Sequence, residues 1–192
     1  MQSKLKEPNA EKEELEAFLQ EIEDEGGRVD VMKDQNEMVR VLVIQTAEMR
    51  KAVKGADPDV FHLDTTFNFE SSGYKMSAFM YLNDVSGRGE VAQIAFMADE
   101  GSEVYKFIFS SFKKSVQKDP PVIILDKDFN ELYMIKEVFP GSTPLLCIFH
   151  VLKWMKGLIK TAKTDEDVLG FEKKKELMEA FREVLYAKSI DV

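Results

Sequence analysis

Two aspartates close apolar runs, and their shared setting is the strongest chemical signal in the chain. Asp64 ends VFHLD (60–64) and Asp126 ends VIILD (122–126). A strand that is buried to its last residue and then presents a carboxylate is making a turn or making a site. If the two strands are parallel neighbours, both acids project from one sheet edge, the carboxyl edge where ligand sites of open α/β sheets gather. Carboxylates so placed repel unless a divalent cation bridges them, and hard oxygen donors favour Mg2+ or Mn2+. Metal held there can activate a water or hydroxyl and stabilise the leaving oxygen of a phosphodiester. Each acid also has an ordinary reading. Asp64 suits a turn in which it accepts from the amides of Thr66 or Phe67. Asp126 suits a loop, because Asp128 and Glu131 already form a D-x-x-E capping box for the next helix. Singly, each acid is more often structural. The pair carries the signal.

The elements that must position this pair follow from periodicity. An acidic helix opens the chain, with Leu15, Phe18, Leu19 and Ile22 on one stripe and Gly26-Gly27 at its end. RVDVM (28–32) and the β-branched VRVLVIQ (39–45) read as strands, followed by a short helix capped by Thr46 and closed by Gly55 and Pro58. VFHLDTT, KMSAFMYLND and EVAQIAFMADE are three consecutive strands, the last two joined by the glycine-containing VSGRG. A helix capped by Ser102, the strand PPVIILDKD, a helix, the strand STPLLCIFH (142–150) and two further helices complete the pattern. Three meander strands followed by two that return through helical crossovers require the late strands to lie parallel to the first, in a right-handed sense. The expected fold is α/β: a mixed five-stranded sheet flanked by helices. This resembles the ribonuclease H-like arrangement, with the first strand in the centre beside the fourth. The expected division is an appendage over 1–37, the sheet domain over 38–163, and a C-terminal helix over 164–192.

Composition narrows the classes. The hydrophobic share of 44%, with 14 Phe and 10 Met, supplies a core and excludes disorder. One cysteine excludes an internal disulfide framework and points to a reducing, intracellular setting. With two His and one Cys, a zinc site built by this chain alone is not expected. No apolar run reaches the length of a membrane span, and the first residues lack the apolar core of a signal peptide, so no membrane partner is expected. The net charge of −9 runs against generic nucleic-acid binding, where Lys and Arg neutralise phosphate. A DNA partner must then rest on a local basic surface or on metal bridging carboxylate to phosphate.

Several stretches together carry a family resemblance: DTTFN (64–68), AFMADEGSEVYKF (95–107), PPVIILDKDFNEL (120–132), VFP (138–140) and the C-x-x-H of Cys147 and His150. In this order, over roughly residues 39–156, they resemble the Mutator-like (MULE) transposase core. The likeness is closest to its domesticated branch in animal SWIM-type zinc-finger proteins, whose ribonuclease H-like domain precedes the zinc finger. The resemblance implies a DDE/D mechanism, with Asp64 and Asp126 as the first two metal-binding carboxylates, Mg or Mn as cofactor where activity survives, and a nuclear location. Cys147 and His150 match the family motif that follows the second acid, and packing and orientation are favoured for them over metal ligation. His62 is given no role, on the expectation that it faces away from Asp64.

The sequence departs from active members of that family in one respect. They carry a third acid after a long helical insertion, and here the acids beyond His150 (Asp165, Glu166, Asp167, Glu172, Glu176, Glu179, Glu183 and Asp191) form no third motif. No SWIM-type finger is present. The expectation is a truncated core in which Asp64 and Asp126 are vestigial, used for nucleic-acid or protein binding in a regulatory role. A Mg-dependent DDE-type transposase or nuclease core is the alternative. Lys153, Lys156, Lys160 and Lys163 recur at i, i+3, i+7 and i+10, a helix face that could follow a phosphate backbone beside Trp154. The ordinary reading is a solvated face opposite Val151, Leu152, Met155 and Ile159. A protein partner is expected on the acidic N-terminal helix.

Overall fold

A computed structural model describes residues 8–66, 73–116, 118–126, 129–161 and 170–186. Helix α1 (Pro8–Asp24) precedes strands β1 (Arg28–Lys33) and β2 (Val39–Gln45). Helix α2 (Ala47–Ala56) leads to the meander β3 (Val60–Thr66), β4 (Lys75–Asn83) and β5 (Arg88–Met97). Then come α3 (Ser102–Lys113), β6 (Val122–Leu125), α4 (Phe129–Val138), β7 (Thr143–Leu146), α5 (Ile148–Thr161) and α6 (Phe171–Leu185). The chain forms two compact units, residues 1–145 and residues 146–192.

The sheet order is β1-β2-β5-β4-β3-β6-β7. Within it, β5-β4-β3-β6-β7 is the expected five-stranded set, with β3 central, antiparallel to β4 and parallel to β6. Two strands are added to the five. β2 pairs antiparallel with β5, and β1 with β2, so residues from the segment set apart as an appendage extend the sheet at its β5 edge. Asp30 secures that edge. It accepts a forked pair of bonds from Arg28 at 2.7 and 2.9 Å and a further bond from the Ser111 hydroxyl of α3.

One face of the sheet packs on α3 through aromatic rings. Phe79 of β4 stacks on Phe112 of α3 with centroids 4.0 Å apart and planes 9° from parallel, and Phe61 of β3 meets Phe112 edge-on at 5.0 Å. These rings, with Tyr105, Ile108, Phe109, Ile123, Leu125, Ile135 and Phe139, are essentially buried. Strand side chains alternate between faces, so in β3 the odd-numbered Phe61 and Leu63 are buried while His62 and Asp64 are half-buried. His62 and Asp64 therefore share a face. The expectation that they oppose one another was wrong, because residues two apart on a strand point the same way.

Helix ends depart from the expected caps in instructive ways. Thr46 does cap α2, accepting from the Met49 amide at 3.3 Å. The helix then runs through Gly55 and is closed by Asp57, which takes the left-handed conformation at φ 42° and donates its amide to the Val53 carbonyl. At α3 the cap is Gly101 rather than Ser102, and the Asp99 carboxylate accepts the Gly101 amide at 2.9 Å. No helix among the described residues is long and apolar enough to cross a membrane.

Candidate functional site

The pairing of β3 with β6 sets the geometry of the two aspartates. Val60 lies opposite Val122, Phe61 opposite Ile123 and His62 opposite Ile124 in a parallel register. Asp64 and Asp126 each lie two residues past the last of these pairs, toward the carboxyl edge, and both carboxylates are half-buried. On the β4 side, Asp64 lies opposite Ala78, a small neighbour. Two carboxylates suit Mg2+ or Mn2+, since Mg2+ is ordinarily held by one or two carboxylates and several waters.

Glu131, read from the sequence as the last residue of a D-x-x-E capping box, has a partner that the motif does not name. Its side chain is only 1% exposed, and its Oε1 accepts the Thr65 hydroxyl at 2.9 Å. Asp128, the other half of that box, lies outside the described residues. Thr65 follows Asp64 directly and points to the opposite face of β3, the face of Phe61 and Leu63. The acid nearest in sequence to Asp126 on α4 is therefore committed behind the strand that carries Asp64. The only signal for this in the sequence was an acid beside Leu132 and Ile135 in an otherwise apolar helix face. Among the described residues no group of three or more His, Cys, Asp or Glu side chains is placed to hold a metal ion.

The remaining candidates lie in the second unit. β7 ends at Leu146, earlier than expected, and Cys147 instead opens α5: its carbonyl accepts the Val151 amide at 3.0 Å. Cys147 and His150 are thus one helical turn apart and both half-buried, and the His150 ring packs against Phe149 with centroids 5.3 Å apart. Lys153, Lys156 and Lys160 are exposed on α5, while Ile159 is buried and Val151, Leu152 and Met155 are half-buried. Lys163 lies outside the described residues, as do Asp165, Glu166, Asp167 and Asp191. The Lys160 carbonyl accepts from Lys174 Nζ at 2.9 Å, which joins α5 to α6.

A central strand antiparallel to one neighbour and parallel to the other, with acids at its carboxyl edge and helices returning between the late strands, defines a ribonuclease H-like domain. Residues 17–145 match the family described as zinc finger SWIM domain-containing protein 1/3, RNaseH-like domain. The chain belongs to that family. It is also similar to the PKS-NRPS hybrid synthetase cheA of Chaetomium globosum, at 29% identity over 99 residues. That match takes in 50% of this chain and spans 2% of the synthetase.

Proposed function

We propose that this ribonuclease H-like domain descends from a Mutator-like transposase and now serves nucleic-acid or protein binding in a regulatory role, with its catalytic set incomplete. The observation that carries this reading is the division of the acids around β3. Asp64 and Asp126 each lie two residues past the last β3–β6 pair, toward the carboxyl edge, whereas Glu131 is buried against Thr65, whose side chain points to the other side of the strand. Among the described residues, a cation there would have Asp64 and Asp126 as its carboxylate ligands. In protein binding, α1 is the candidate surface: Ile22 is buried at its base, while Leu15 and Phe18 are 47% and 53% exposed among acidic neighbours.

The test is a DNA cleavage assay on the intact chain with Mg2+ or Mn2+, run beside Mn2+ line broadening in NMR spectra. The expected result is no cleavage, with any broadening centred on residues 63–65 and 125–126 and removed by Asp64→Asn or Asp126→Asn. Cleavage that disappears in both variants would overturn the binding reading.

The second reading is a Mg-dependent phosphoryl-transfer core, supported by two acids that follow the parallel-paired runs of β3 and β6. A divalent cation there would polarise a phosphodiester and lower the pKa of a bound water. Deleting residues 1–27 discriminates in turn for the protein-binding arm, since partner capture should then fail while the far-UV spectrum of the sheet remains.

A further inference from the structure

The amino end of β3 carries a feature that the two aspartates do not explain. There the fold opens into a cleft of about 600 Å3, walled by the end of α2 with the following loop and by the hairpin between β4 and β5. Clefts of this size accommodate several side chains of a ligand. Asp64 and Asp126 are not among its walls.

The hairpin wall presents apolar side chains to solvent. Val85 is 98% exposed and Leu82 57%, with Val60 of β3 exposed beside them. This exposure is built into the turn. Asn83 Oδ1 accepts the Val85 amide at 2.9 Å and the Ser86 amide at 3.1 Å, and the Asn83 carbonyl accepts the Gly87 amide at 2.8 Å. Gly87 supplies the φ of 65° that the turn needs. Below the turn, the Glu90 carboxylate accepts from both Tyr81 and Asn83, at 2.6 and 2.8 Å. The apolar tip is therefore held out by a hydrogen-bonded frame, which reduces the entropy lost when a partner covers it.

The rest of the rim is acidic. Asp57 and Asp59 stand on the loop wall and Asp84 on the hairpin. Lys118 faces two of them, lying 3.1 Å from Asp57 and 3.6 Å from Asp59. The three carboxylates outnumber that ammonium and leave the rim negative, within a chain whose net charge is already −9. An apolar wall beside acidic groups selects its complement. We propose that this cleft docks a short segment of a partner protein in which an apolar anchor is flanked by lysine or arginine. The anchor covers Leu82 and Val85, and the flanking cations pair with Asp57, Asp59 and Asp84.

The probe is a fluorescein-labelled synthetic peptide with a leucine-phenylalanine core between paired arginines, titrated into the intact chain and followed in parallel by amide NMR. Shifts are expected on residues 57–60 and 82–85. A Leu82→Ser, Val85→Ser chain should bind about tenfold or more weakly, as expected when apolar area of this size is removed from the interface. Both positions are exposed, and an unchanged melting temperature verifies the fold. A chain with Asp57→Asn, Asp59→Asn and Asp84→Asn should lose affinity and salt dependence together, and asparagine tolerates the left-handed backbone at 57. Binding that neither variant weakens, or equal binding of a peptide with serines in its core, overturns the proposal. So do shifts centred on residues 63–65 and 125–126. Concentration-dependent shifts at 82–85 without peptide would assign the cleft to a second copy of the chain instead.

Discussion

The Thr65 hydroxyl donates to Glu131 at 2.9 Å, joining the end of the central strand to the first turn of α4 through a carboxylate that is 1% exposed. This bond holds the strand end that carries Asp64, because Thr65 is the next residue and its side chain points the other way. A buried carboxylate that loses a donor keeps its desolvation cost. Thr65→Val, which preserves shape but removes the hydroxyl, is expected to destabilise the chain by about 1–3 kcal/mol. Urea unfolding measures this, and a midpoint equal to that of the parent would show that the bond contributes nothing net.

The stack of Phe79 on Phe112 is expected to be the most sensitive point of the core. Both rings are essentially buried, and Phe112 also meets Phe61 and Phe139. Phe112→Ala should cost about 3–5 kcal/mol through lost burial and the cavity left behind. In a double-mutant cycle, Phe79→Leu and Phe112→Leu should show a coupling of about 0.5–1.5 kcal/mol beyond their separate costs.

Acid should loosen the β1 edge. Burial by itself would raise the Asp30 carboxyl, but the Arg28 fork and the Ser111 hydroxyl outweigh it and hold the group below the ordinary aspartate range. A depressed folded value means that the unfolded chain takes up the proton first. The Asp30 contribution is therefore complete above the unfolded aspartate pKa of about 3.9 and is lost as pH falls through the lower folded value. Thermal melts between pH 6 and pH 2 should show a smaller acid-induced drop in Asp30→Asn and in Arg28→Gln than in the parent. Equal slopes would remove Asp30 from the account.

The lysines of α5 separate nucleic-acid binding from simple solvation. If Lys153, Lys156 and Lys160 follow a phosphate backbone, changing all three to glutamine should weaken duplex DNA binding at low salt. It should also lower the salt slope by about 0.9 for each phosphate no longer neutralised. Filter binding at two or more salt concentrations reads both quantities. An unchanged slope assigns the stripe to a solvated helix face.

The local sequence was enough for the order of the elements. Alternation in VFHLDTT and VIILD, β-branched runs in VRVLVIQ and the glycine turn before EVAQIAFMADE each encode structure within a few residues. The constraint that crossovers return strands in parallel then places the first meander strand beside the fourth. For the same reason the parallel pairing of the two runs that end in Asp64 and Asp126 was legible, since it needs only two buried runs and one topological rule. Tertiary structure alone decided the rest. The hairpin of β1 and β2 joins the sheet through the pairing of β2 with β5 and is tied to α3 by the bond of Asp30 with Ser111, contacts that no short window of sequence contains. The capping box of Asp128 and Glu131 is a local motif, but the hydroxyl that Glu131 accepts comes from Thr65 in a distant strand. The cleft between the loop after α2 and the β4–β5 hairpin likewise exists only once β3 and β4 pair. Periodicity records which residues face inward, whereas the partner each one meets depends on how separate elements pack.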